Sequence, residues 1–76
     1  MSITGAQLRA ARELIGLSQT ALAAIVQCGA NRIASFEAGE SSFDPWILAG
    51  LRQALEAAGV EFIDSEPHAR LRGRAD

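Results

Sequence analysis

The sequence predicts an all-α domain of about four helices that ends in a short C-terminal β-strand. Three observations predict it. Capping residues recur at Thr4, Ser18, Gly29 and Asp44, each just ahead of an apolar-periodic run. Glycines at 16, 39 and 59 stand where three of those runs stop. The 49% hydrophobic content is mostly Ala, Leu and Ile, with three Phe, one Trp and two Pro, which suits helices better than a sandwich.

The elements follow in order. Thr4-Gly5-Ala6-Gln7 is a capping box, with Thr at N-cap and Gln at N3, and Ile3 and Leu8 stand at staple positions. Leu8, Ala11, Leu14 and Ile15 recur at helical spacing, so helix 1 is expected over about 5–15. Ser18 caps helix 2, stapled by Leu17 and Leu22, with Leu22, Ala23, Ile25 and Val26 on its buried side. Gln27-Cys28-Gly29 reads as a turn. Helix 3 is expected over about 30–38, with Ile33 and Phe36 inward and Gly39 as its stop. Asp44-Pro45 opens helix 4, whose stripe is Ile47, Leu48, Leu51, Ala54, Leu55 and Ala58. Val60-Glu61-Phe62-Ile63-Asp64 is β-prone and is expected as a strand.

Seventy-six residues allow one small domain, expected over 1–64. Residues 65–76 have little apolar content and are expected to be a disordered, Arg-containing tail. Such a chain buries only about 60% of its unfolded surface, so packing or dimerisation must supply stability. A lone strand cannot satisfy its backbone groups inside a helical monomer. The expectation is therefore no sheet within one chain, and a homodimer in which two strands pair around a two-fold axis. Trp46, Leu55, Val60 and Phe62 are the expected dimer contacts.

Charge and special residues narrow the function. The net charge is −2, and all seven basic residues are arginine. Residues 1–39 hold three arginines against two glutamates, whereas residues 40–64 hold one arginine against five acids. The single Cys28 cannot form an internal disulfide; it is expected as a small buried hydrophobe in a reducing compartment. No apolar run reaches membrane-spanning length and no secretory signal is visible, so a cytoplasmic location without membrane contact is expected. There is no phosphate-cradling glycine loop, no nucleophile–base pair and no metal-ligand spacing. No enzymatic activity, cofactor or metal is expected. His68 stands in the tail without a second ligand nearby. Arg70, Arg72 and Arg74 alternate there, either as a basic arm reaching nucleic acid or as a solubilising tail.

Two short helices joined by a tight turn have the layout of a helix-turn-helix. The pieces Leu8-x-x-Ala11-Arg12, Gly16-Leu17-Ser18-Gln19-x-x-Leu22-Ala23 and Ile33-x-x-Phe36-Glu37-x-Gly39 resemble the lambda repressor/Cro superfamily, or XRE family, of bacterial and phage regulators. The resemblance covers Leu8 to about Ile63. It implies a lambda repressor-like helix-turn-helix fold and residue roles by position. Gln19 would hold a DNA phosphate. Ala30, Asn31 and Ser35 would face base edges, with Arg32 beside them near phosphate or base. Arg12 would pair with Glu37 and lock helix 1 to the end of helix 3. The chain departs from the family pattern at three places: Gln27 replaces a turn glycine, Gly29 replaces a Ser or Thr cap, and Ala30 offers only a methyl group to a base. If Gln27 must adopt left-handed geometry, it costs roughly 1–2 kcal/mol.

Together these readings point to a sequence-specific DNA-binding transcriptional regulator, expected to be a dimeric repressor on an inverted repeat in double-stranded DNA. The alternative is a protein-binding helix-turn-helix module, antitoxin-like or factor-sequestering, with a protein partner. The acidic second half and the sparsely armed third helix support that alternative.

Overall fold

The computed structural model describes residues 3–62 and 69–71. In chain order these form α1 (Gly5–Leu14), α2 (Gln19–Val26), α3 (Ala30–Glu37), α4 (Pro45–Ala57), β1 (Val60–Phe62) and β2 (Ala69–Leu71). The fold is mostly helical, with four helices; the caps at Thr4 and Ser18 act where they were expected, whereas Ile25, expected on the buried side of helix 2, is 58% exposed because the end of α2 is left uncovered. Thr4 Oγ1 accepts from the Gln7 N–H at 3.1 Å, and Gln7 Oε1 accepts from the Thr4 N–H at 2.9 Å, closing the capping box of α1. Ser18 Oγ accepts from the Ala21 N–H at 3.0 Å and starts α2. Pro45 takes the first turn of α4, where a missing N–H costs nothing.

One core unites these elements. Leu8, Leu22, Ile33, Leu51, Leu55 and Val60 are its largest fully buried side chains. Ile3, Phe36, Phe43 and Phe62 close it, and the Phe36 and Phe43 ring centroids are 5.2 Å apart in a tilted pair. α1 packs on α3 and on both strands, whereas α2 packs on α3 and α4. The crossing of α1 and α3 is close: a Cβ at Gly5 would stand 2.2 Å from the Phe36 carbonyl oxygen and 3.0 Å from Glu37 Cα. Only glycine at position 5 permits that approach.

The end of the chain differs from the expectation. β1 does not wait for a second molecule; it pairs antiparallel with β2 of the same chain, Val60 opposite Leu71, Glu61 opposite Arg70 and Phe62 opposite Ala69. The expectation of no sheet within one chain is therefore corrected, as is that of disorder for residues 69–71. The reason is physical. A hairpin partner supplied by the same chain satisfies one row of β1 backbone groups without the loss of translational freedom that a second molecule entails. Ile63 and Asp64 of the expected strand, and His68, Arg72 and Arg74 of the tail, lie outside the described residues.

Candidate nucleic-acid interface

α2 and α3 are joined by a turn that depends on one strained residue. Gln27 ends α2 in the left-handed region, at φ 58 and ψ 49, and is the sole non-glycine with positive φ among the described residues. This geometry lets the Cys28 N–H donate to the Ala23 carbonyl at 2.9 Å and turns the chain into α3. Gly29 then caps α3 without a side-chain bond. A Cβ at Gly29 would meet the Asn31 side-chain oxygen at 2.7 Å. The glycine thus leaves room for Asn31 to fold back toward the helix start.

Ile33 and Phe36 anchor the inner side of α3 in the core, so its opposite side is presented outward. Asn31 and Ser35 are four residues apart and share one helical face. Asn31 is exposed, whereas Ser35 and Ala30 are half-buried. Arg32 is exposed but turned away from that face, its guanidinium carbon 4.9 Å from the centre of the Phe43 ring. The five residues expected to meet DNA therefore divide. Asn31 and Ser35 share the outward face of α3, Ala30 turns against the core instead of toward a base, Arg32 leans onto Phe43, and Gln19 lies at the start of α2.

Gln19 carries a second task that sequence reasoning missed. Its Nε2 donates to Glu37 Oε1 at 3.0 Å. Glu37 also accepts two bonds from Arg12, Nε to Oε2 at 2.8 Å and Nη2 to Oε1 at 2.9 Å. Arg12 Nη1 donates to the Leu17 carbonyl at 2.9 Å. One carboxylate and one guanidinium thereby tie together α1, the α1–α2 loop, the start of α2 and the end of α3. The Arg12 and Glu37 side chains are 12% and 4% exposed. Burial opposes ionisation of Glu37, but the bonds from Arg12 and Gln19 and the arginine's charge outweigh it and hold the carboxyl below its ordinary range. The hydrogen bond to Glu37 raises Arg12 against its own desolvation, so both partners stay charged. A primary amide has two N–H donors, so the bond to Glu37 leaves Gln19 one for another acceptor. The signal for this bond lay in the register between Ser18-Gln19 and Phe36-Glu37, which only the packing of α2 on α3 brings together.

The geometry is that of two helices, a tight turn and an outward face on the second. A family model described as a helix-turn-helix domain matches residues 4–62, most of the chain. The chain belongs to the helix-turn-helix family. No curated protein matches it. In this helix-turn-helix protein the matched region ends with β1, so β2 lies outside it.

The expected dimer contacts also divide. Leu55, Val60 and Phe62 are 1%, 0% and 7% exposed, spent in the core of their own chain. Their apolar spacing signalled burial correctly but not against what. Trp46, at 73% exposed, is the one of the four left outside. Among the described residues, no group of three or more His, Cys, Asp or Glu is placed to hold a metal, and no helix is long and apolar enough to cross a membrane.

Proposed function

We propose that this chain is a sequence-specific DNA-binding transcriptional regulator, a dimeric repressor whose site in double-stranded DNA is an inverted repeat. The observation that carries the reading is the outward Asn31–Ser35 face of α3, with Asn31 exposed, on a helix whose inner side is anchored by Ile33 and Phe36 and whose end is clasped through Glu37. A carboxamide can bond adenine at N6 and N7 together in the major groove. A rigid helix is needed to aim it, because an error in aim forfeits the bidentate bond. Gln19, at the start of α2, has a donor to spare for a phosphate. The net charge of −2 makes the phosphate contribution small, so affinity should rest on few contacts and fall only shallowly with salt.

The test is selection of duplexes from a random library by the full chain. An enriched inverted repeat supports the reading. On that site Asn31→Ala should weaken binding by about 1–3 kcal/mol per half-site, with a far smaller effect on scrambled DNA. If no duplex is enriched, the protein-binding module becomes the better reading.

A further inference from the structure

A groove of about 540 Å³ opens between the end of α2 and the outer side of α4. Ile25 and Trp46 line it and are 58% and 73% exposed. Trp46 is the chain's single tryptophan, and a large apolar ring left in water beside an apolar hollow marks a contact surface.

Gly50 also lines this groove, inside α4. A Cβ there would meet nothing within 4 Å, and its φ is not positive. Neither internal packing nor backbone geometry asks for glycine, although glycine weakens a helix interior relative to alanine. A close approach from outside the chain gives that glycine a purpose.

Charge identifies what approaches. Arg32 and Asp44 both border the groove, with opposite signs. Arg32 stacks on Phe43, and Asp44 makes no side-chain bond to the helix it precedes. Among the described residues neither has an ionic partner. A partner of one dominant charge would satisfy one and repel the other. A copy of the same chain turned through 180° answers each with its opposite.

We propose that this groove is the face through which two copies of the chain pair, about a two-fold axis near Gly50. Each Trp46 lies in the hollow of the other copy, and each Arg32 meets the other copy's Asp44. Projection and hollow stand on the same face of one molecule, as an isologous contact requires. Leu55, Val60 and Phe62 are already buried in their own chain and offer no surface to a second copy. This deepens the dimeric reading above and rests on it.

Sedimentation velocity of the full chain without DNA, from about 1 to about 100 µM, tests the proposal. The expected result is a reversible dimer. Trp46→Ser should sediment as a monomer with an unchanged helical spectrum. Gly50→Ala should raise the melting temperature of the dilute monomer and yet weaken the dimer, which a purely structural glycine would not do. Asp44→Arg and Arg32→Asp should each weaken the dimer by roughly tenfold or more, and the double exchange should recover most of the loss. A chain that is monomeric throughout overturns the proposal, as does a dimer indifferent to all these changes or one not recovered by the double exchange. Because DNA is absent, these failures are separate from failure of DNA recognition. A monomer that still enriches one half-site would overturn the interface and leave the reading of DNA standing.

Discussion

The α1–α3 side and the α2–α4 side of this molecule are opposites. On the first, Arg12, Glu37, Gln19 and the Leu17 carbonyl satisfy one another, and Gly5 lets two helices meet at backbone contact. On the second, Trp46 and Ile25 stand in solvent, Gly50 has open space above it, and Arg32 and Asp44 have no ionic partners among the described residues. The first side is finished within one chain. The second has the composition of an interface without its other half. The contrast teaches where change should be felt: on the closed side in folding, on the open side in assembly.

The largest expected effect breaks the closed side. Glu37→Ala strands the Arg12 guanidinium, 12% exposed, without its carboxylate. Loss of one partner of a buried pair costs ~3–5 kcal/mol, enough to unfold much of a domain this small. Chemical denaturation should show it. A loss under about 1 kcal/mol would mean that the pair behaves as a surface one. By contrast the Arg9–Glu13 pair, 65% and 59% exposed, should be removable with no resolvable change in the same assay.

Gly5→Ala comes next. Its methyl group would meet the Phe36 carbonyl at 2.2 Å, so α1 and α3 must part. Overpacking costs ~1–3 kcal/mol, of which better helix propensity returns part. A thermal melt at or above that of the parent chain would show that the crossing has slack.

The pH dependence sharpens the same side. Glu37 titrates below its ordinary value of 4.5 when folded. A carboxyl depressed by folding contributes stability that is fully present above its unfolded value and lost as pH falls through its folded one. Glu37→Gln should therefore be less stable than the parent at neutral pH, and the gap should close as pH drops below 4.5. Denaturation midpoints across pH would reveal it; a constant gap would mean that the charge is not what matters.

A small effect of opposite sign is expected at the joint between the two sides. Gln27 holds φ 58 without being glycine. Gln27→Gly should stabilise the fold by about 1 kcal/mol, since it relieves left-handed strain at the cost of a more flexible unfolded chain. A lower melting temperature would mean that the Gln27 side chain contributes more than its backbone loses.

Local chemistry was legible in the sequence. Thr4 with Gln7, Ser18, and Pro45 start helices because short side chains, or a ring without an N–H, suit orphaned backbone groups whatever surrounds them. The alternation Val60-Glu61-Phe62 is a strand pattern in any context, and Arg12 with Glu37 could be paired by resemblance. Tertiary structure decided the rest. That β1 pairs with residues 69–71, rather than with a second chain, depends on where α1 and α4 leave the chain end. That Gln19 serves Glu37, and that Arg32 turns to Phe43 rather than toward Asn31, depends on how α2, α3 and the following loop pack. The sequence by itself determined which segments are helical and which faces are apolar, because capping and periodicity act within a few residues. Only the tertiary structure decided which apolar faces meet within the chain and which one, around Trp46, is left outside. That choice is made by contacts between segments far apart in sequence, and local pattern carries no record of it.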